Sequence, residues 1–396
     1  MTPSARVQAG IEILDEVMIS ARDDGPPADA IVAAYFKTRR YAGSKDRRAV
    51  RELVYRAIRR SGEIPDCGRS AMLGLSADDR EILENFTGPP HGPEPVVKGE
   101  KRTPASLIRP WIEAELSPLV IRSEWPALVQ RAPLDIRVNS ARTTRDVISD
   151  AFPGAKPTPL SPWGLRLPPD TRVDQSGELA QGLIEVQDEG SQLIALACAP
   201  KPGMRIIDLC AGAGGKALAL AAATGNGAEI IACDTNRPRL SKLPQRADRA
   251  GATIATRLLD APREAEALVA LHASADIVLV DAPCSGSGTW RRSPEGRWRL
   301  TPERLARVCA LQARVLDLAA PLVKPGGALV YAVCSLFGRE GADQIGTFLG
   351  RHSGWTVQDA FEGIGRSFGR ADGPGLLLTP GHDGTDGFFI ARLRRS

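Results

Sequence analysis

The chain has 396 residues, a quarter of them charged and 43% hydrophobic, with a formal net charge of +4. That length exceeds one ordinary core and the balanced composition excludes a disordered chain, so two or three domains are expected. Seven cysteines (Cys67, Cys198, Cys210, Cys233, Cys284, Cys309 and Cys334), with no CxxC pair, no HExxH and four scattered histidines, argue against a disulfide framework or a metal site.

In chain order, apolar residues recur at helical spacing from Ala5 to about Gly62, as in Ile11, Leu14, Val17 and Met18 and again in Val50, Leu53, Val54, Ala57 and Ile58. An all-helical domain is predicted over residues 1–85. Within it residues 37–60 carry ten Lys/Arg against two acids, a candidate phosphate-binding face. Residues 86–105, rich in Pro, Gly and charge, read as a linker. From 106 to 175 a small α+β module is expected, with strands in APLDIRVNSAR and GLRLPPD and a helical segment around Arg145 to Ala151. From 176 to 396, strand-like runs (MRIIDLC, AEIIACD, ADIVLVD, GALVYAVCS) alternate with helical patterns, the signature of a parallel sheet covered by helices. No stretch approaches the roughly 18 uninterrupted apolar residues of a membrane span, and MTPSARVQAG lacks the apolar run of a secretory signal. A cytoplasmic protein without a membrane partner is therefore expected, as a monomer.

DLCAGAGGK at 208–216 follows an apolar strand and opens an Ala/Leu helix, so Gly212, Gly214 and Gly215 fall where a chain turns tightly against a ligand. One strand later Asp234 ends IIACD, a position suited to ribose hydroxyls. The glycines read GxGG and not GxGxxG, and Asp208 and Lys216 bracket the loop with charges that fit a zwitterionic methionine tail. S-adenosylmethionine is thus the expected cofactor over a dinucleotide, with Asp260, at the end of a predicted third strand, placed toward the adenine edge.

ADIVLVDAPCSGSG ends a buried strand in Asp281, Pro283 and Cys284, and the next strand ends in Cys334. If these strands are neighbours, about 5 Å apart, both thiols reach one base. Carbon 5 of cytosine is a poor nucleophile until a group adds to carbon 6, and a thiolate is suited to that addition. Asp281, held protonated, would donate to ring nitrogen 3; the second cysteine would assist release. Residues alone leave open which cysteine attacks.

Taken together, QDEGSQ (187–192), DLCAGAGGK, VDAPCSGSG, WRLTPERL (298–305), LQARVLDLAAPLVKPGGALVYAVCSL (311–336) and GTDGFFIARL (384–393) resemble the RsmB/Sun family of RNA cytosine-5 methyltransferases. The catalytic resemblance runs from about Pro133 to the C-terminus. It implies an α/β Rossmann-like class I methyltransferase domain, preceded by an all-α NusB-like domain and a small α+β RNA-recognition-like module. By the same resemblance Cys334 is the nucleophile and Cys284 assists release, while Cys210, Ala211, Gly212, Ala213, Gly214, Gly215, Lys216, Asp234, Asp260 and Asp281 bind the cofactor. Two departures stand out: the family commonly has Ala-Pro at Gly212-Ala213 and Thr at Val333.

The implied substrate is RNA, 16S ribosomal RNA before transfer RNA, gripped in part by Arg291, Arg292, Arg297 and Arg299. A DNA cytosine methyltransferase would attack with Cys284 instead. A dehydrogenase would need different glycine spacing, and an amino-group methyltransferase an Asn/Asp-Pro-Pro-aromatic loop at 281–284. A non-catalytic RNA-binding assembly factor would keep the fold and dispense with the thiols.

Overall fold

The N-terminal helical spacing folds as α1 (Pro3–Arg22), α2 (Ala28–Thr38), α3 (Ser44–Arg60) and α4 (Gly68–Leu75). Thr2 caps α1 by accepting the Ala5 N–H at 3.1 Å, and Val7, Ile11, Leu14, Val17 and Met18 line its buried face. Val50, Val54, Ala57 and Ile58 bury the matching stripe of α3, which leaves Lys45, Arg47, Arg48 and Arg51 exposed on its other side. The protein is described by a computed structural model covering residues 1–362 and 369–396, and it divides into two units. The helical unit comprises Met1–Glu115, Arg122–Arg131 and Thr289–Pro302.

Two expectations change in this unit. Residues 86–105 are packed, not a free linker: Phe86 lies in the helical core, Thr103 N–H donates to Ser70 O at 2.9 Å, and Arg69 donates to Glu94 O at 2.9 Å and pairs with Glu100. The buried donors and acceptors of this Pro-rich stretch are met by helix residues, which pins it without regular structure. Residues 289–302 also belong here, with Trp298 in the helical core. Arg297, fully buried, donates to the carbonyls of Ile58 (2.7 Å), Pro294 (3.0 Å) and Leu107 (2.5 Å); Arg299 donates to Gly25 O and Pro26 O. Both guanidiniums are spent on backbone carbonyls, and Arg291 is buried as well, so this cluster is not a phosphate grip. Arg292 alone of the four is exposed.

The second unit spans Leu116–Ile121, Ala132–Gly288 and Glu303–Ser396. Its first sheet joins β1 (Leu134–Val138), β2 (Lys156–Pro157), β3 (Gly164–Leu167) and β4 (Ile184–Val186) in the order β2-β3-β1-β4, all antiparallel. The helix Arg145–Ala151 packs on it through Ile148, beside Ile136, Val138, Leu165 and Ile184. The small module thus extends past the expected boundary at 175, because β4 pairs with β1 and Ile184 enters the same core.

The larger sheet is built on β5 (Arg205–Asp208), β6 (Glu229–Asp234), β7 (Ile254–Leu258), β8 (Ala275–Asp281) and β9 (Val323–Val333), parallel in the order β7-β6-β5-β8-β9. β13 (Phe388–Arg395) then runs antiparallel along β9, with β10 (Trp355–Gln358) and β12 (Gly375–Leu378) on its other edge and β11 (Arg370–Asp372) beyond β12. This is a Rossmann-like sheet. Ile206, Ile277, Leu279, Val330 and Ile390 are buried in its core with helix residues such as Leu193, Leu218 and Leu220. The chain leaves β5 to one side for β6 and β7, then crosses to β8 on the other. That reversal opens a crevice at the carboxyl ends of β5 and β8, where such sheets bind ligands. Among the described residues no helix is long and apolar enough to cross a membrane.

Candidate functional site

The loop after β5 turns through Gly212 (φ 56°) and Gly214 (φ 84°), both in the left-handed region, before Gly215 starts the helix Gly215–Ala223. A Cβ at Gly214 would lie 2.1 Å from Leu243 Cδ1, so that position excludes a side chain on steric grounds as well, whereas one at Gly212 would meet only the movable Arg239 guanidinium. Asp234, at the end of β6, accepts the Gly212 N–H on Oδ2 and the Asn236 N–H on Oδ1, both at 2.6 Å. The Ala211 N–H donates to Cys233 O at 2.9 Å, completing the tie between loop and β6. A carboxylate offers about four acceptor sites. Asp234 therefore holds the loop and still has lone pairs for two hydroxyls.

Two arginines outside the expected set clamp this loop. Arg137 of β1, buried, donates to Gly215 O at 2.7 Å and to Gln187. Arg246 donates to Ala213 O at 2.5 Å and pairs at 2.7 Å with Glu185 of β4, which also pairs with Arg249. The signal was present in LDIRV, where strand alternation puts Asp135 and Arg137 together on one face, but a charge in a strand does not reveal which loop it will meet.

Asp208 is fully buried at the end of β5, with the Cys210 backbone N–H near its carboxyl group and no side-chain hydrogen-bond partner among the described residues. Burial first, then the negative charge of Asp281, lifts its pKa from 3.8 to about 7. A buried acceptor without a side-chain partner, beside a glycine turn, suits a bound group that brings a donor, such as the amine of a methionine tail. Lys216, expected to face the same tail, is instead committed to Asp281, its Nζ donating to Oδ2 at 2.6 Å. Burial alone would favour its neutral amine, but the Asp281 carboxylate outweighs this and raises Lys216 above its ordinary value. The partner that the fold supplies to Asp281 is therefore an ammonium. Lys216 thus stands beside Asp281 as a further proton donor at the sheet crevice.

The Asp208 shift carries a stability prediction. The native state holds this proton up to about pH 7 whereas the unfolded chain releases it near 3.8. The native state thus binds more protons between those values, so stability falls as pH rises through that window and is flat beyond it. Asp208→Asn is expected to abolish the fall, on the order of a few kcal/mol, read as the difference between wild type and variant in urea melts at pH 4 and pH 8. Parallel slopes in the two proteins would rule the assignment out.

β8 and β9 are parallel neighbours, with Asp281 in register with Ala332, so the residues just beyond them meet. Cys284 Sγ lies 3.2 Å from Cys334 Sγ, both free thiols and both partly exposed. The hydrogen bond to Cys334, then burial and the negative charges nearby, push the Cys284 thiol well above the ordinary range. Cys210 is also pushed well up, by burial and the surrounding carboxylates, so it stays a thiol in the loop. Val333 is fully buried in β9 opposite Phe389. Asp260 lies just beyond β7, largely exposed and paired with Arg263 at 2.6 Å, and follows Leu259, whose N–H donates to the Asp234 carbonyl at 2.9 Å. Among the described residues no cluster of His, Cys, Asp and Glu has the makings of a metal site.

Residues 195–394 match the family described as 16S rRNA methyltransferase RsmB/F. The chain is 34% identical over 279 residues to the ribosomal RNA small subunit methyltransferase B of Salmonella paratyphi B, an alignment that takes in 68% of the chain and 62% of that protein. The crystal structure of PH0851 superposes with a TM-score of 0.75 at 22% identity, covering 100% of this chain and 99% of that one. NSun6 from Pyrococcus horikoshii, solved with SFG, superposes at 0.60 with 20% identity, covering 68% and 92%. The likenesses to solved structures support the Rossmann-like fold of the large sheet.

Proposed function

The chain belongs to the RsmB/F methyltransferase family, and on that footing we propose that it transfers a methyl group from S-adenosylmethionine to carbon 5 of a cytosine in RNA, 16S ribosomal RNA in particular. The observation that carries the reading is the pair of thiols 3.2 Å apart at the ends of β8 and β9. Beside them stand the Lys216–Asp281 pair and the glycine loop.

S-adenosylmethionine, when bound, supplies the electrophilic methyl group. The backbone of Cys210, Ala211, Gly212, Ala213, Gly214 and Gly215 forms its cradle, Asp234 receives the ribose hydroxyls, Asp208 the amine, and Asp260 the adenine edge. Cys334, as thiolate, adds to carbon 6 of the base. Lys216, held by Asp281, donates to the base as electron density moves into the ring. After carbon 5 is methylated its proton must leave before the carbon 6–sulfur bond breaks. Cys284, within reach of Cys334, assists that release. A base must leave its stack to reach these thiols, which favours a single-stranded or immature RNA.

The helical unit, with the exposed basic face of α3, is an RNA-binding domain of NusB type in this reading, and the β1–β4 sheet an RNA-recognition-like module. Ribosomal RNA is favoured over transfer RNA by the helical unit and by the name of the Salmonella relative.

Two measurements test the proposal. Bisulfite sequencing of total RNA from cells lacking the gene is expected to reveal one lost 5-methylcytosine in the small-subunit RNA; loss in transfer RNA would overturn the ribosomal assignment, and loss nowhere the activity. Isothermal titration is expected to show S-adenosylmethionine binding that Asp234→Ala weakens about 10- to 100-fold, the scale of one or two charge-assisted hydrogen bonds. Binding of a nicotinamide nucleotide in its place would remove the methyltransferase reading.

A further inference from the structure

Glu340 closes the short turn Gly338–Glu340 just beyond Cys334, and its side chain is completely buried. No lysine or arginine forms an ion pair with it among the described residues; its two oxygens are satisfied by four donors. Oε1 accepts the Ser285 N–H at 2.8 Å and Gln312 Nε2 at 2.9 Å. Oε2 accepts the hydroxyls of Ser285 and Ser335, each at 2.5 Å. Ser285 follows Cys284 and Ser335 follows Cys334, so a single carboxylate grips the residue next to each thiol.

The surrounding bonds make the tie rigid. Gln312 also donates to Pro283 O at 2.9 Å, on the other side of Cys284. Ser287 Oγ accepts the Leu336 N–H at 2.8 Å and lies 2.9 Å from Ser335 Oγ. The Gly288 N–H donates to Cys334 O at 3.0 Å, and Tyr331, itself in β9, donates to the Glu340 carbonyl at 2.7 Å. A buried carboxylate without a counter-cation is an expensive way to fill space: a hydrophobe of similar volume there would avoid the desolvation cost. What a hydrophobe could not do is bind two separate loops through three short, charge-assisted hydrogen bonds and a helix residue, Gln312, through a fourth.

From this geometry we propose that Glu340 is the positioning residue of the dithiol site, holding the loops after β8 and β9 so that Cys284 and Cys334 keep their separation and their unequal roles. The proposal deepens the methyltransferase reading and rests on it for its effect on turnover. Its negative charge acts in the same sense as its hydrogen bonds: after the Cys334 hydrogen bond, burial and the charge of Cys334, it is among the causes that push the Cys284 thiol up. Nothing in the sequence around Glu340 marks it, since an acid seven residues past a strand end is ordinarily a solvated turn residue.

The test uses the full-length protein with Glu340→Gln, which keeps the volume but removes the charge and turns two of the four donors toward an amide. Ser335→Ala, which deletes one donor and leaves the carboxylate, serves as the milder second variant. Two quantities are read: kcat and KM with unmethylated small-subunit RNA, and the rates at which N-ethylmaleimide labels Cys284 and Cys334, resolved by peptide mass spectrometry. With Glu340→Gln, kcat is expected to fall about 10- to 100-fold, the scale of a misplacement near 1 Å, while KM and S-adenosylmethionine affinity stay within about twofold. Labelling of Cys334 is expected to outpace that of Cys284 in the wild type, and the ratio to narrow at least about threefold in both variants as the thiols lose their fixed relation. An unchanged labelling ratio in both variants overturns the positioning role. If the wild type transfers no methyl group to any RNA, the functional reading fails, and the labelling ratio still decides whether Glu340 orders the thiols.

Discussion

Replacing Cys334 by alanine is expected to lower methyl transfer to RNA by at least about 10³-fold, the scale of losing an essential nucleophile, while S-adenosylmethionine still binds. The reason is chemical: without an adduct at carbon 6, carbon 5 of cytosine has no electron density to offer. The Cys284→Ala protein should behave differently. Its attacking sulfur is intact but release is impaired, so the protein expressed in cells is expected to migrate on denaturing gels with RNA covalently attached. The two thiols are only 3.2 Å apart, and their positions alone do not separate the roles; the two variants do. Trapping in the Cys334 variant instead would assign attack to Cys284, the arrangement of DNA cytosine methyltransferases. No adduct in either variant would remove the covalent mechanism.

Lys216→Met and Asp281→Asn are each expected to lower kcat by about 10²- to 10⁴-fold, the range of a lost general acid. The two groups share a hydrogen bond of 2.6 Å, and the Asp281 charge keeps Lys216 protonated where burial would neutralise it. They should therefore act as one unit. The double variant is expected to be little worse than the worse single variant, because removing either member already disables the other. Single-turnover rates with saturating RNA measure the loss, and titration of S-adenosylmethionine separates it from weakened cofactor binding. Losses that simply multiply in the double variant would mean that Lys216 and Asp281 serve separate steps.

Much of this protein was legible from residues alone. The alternation of apolar runs with helical patterns after Gly203 could only become a helix-covered parallel sheet, because buried strands separated by amphipathic helices have no other economical packing. The DLCAGAGGK turn needed glycines with positive φ, and Gly212 and Gly214 have it. Two strand ends carrying Asp281, Cys284 and Cys334 were placed at one crevice by the expectation that their strands pair, and β8 and β9 do. These features are local or follow from one strand pairing, so spacing and periodicity encode them.

Tertiary structure decided how charges were shared. Lys216 and Asp281, 65 residues apart, meet in one hydrogen bond, whereas the sequence let each be read singly. Arg297 and Arg299 looked like phosphate ligands until backbone carbonyls of the helical unit claimed them. Residues 289–302 belong to that unit although they sit between β8 and β9 in the chain. Glu340, Arg137 and Glu185 gain their importance entirely from distant partners. A hydrophobic stripe announces itself by its period, but a buried polar group is defined by what satisfies it, and its partners are set by the fold as a whole and not by neighbours in sequence.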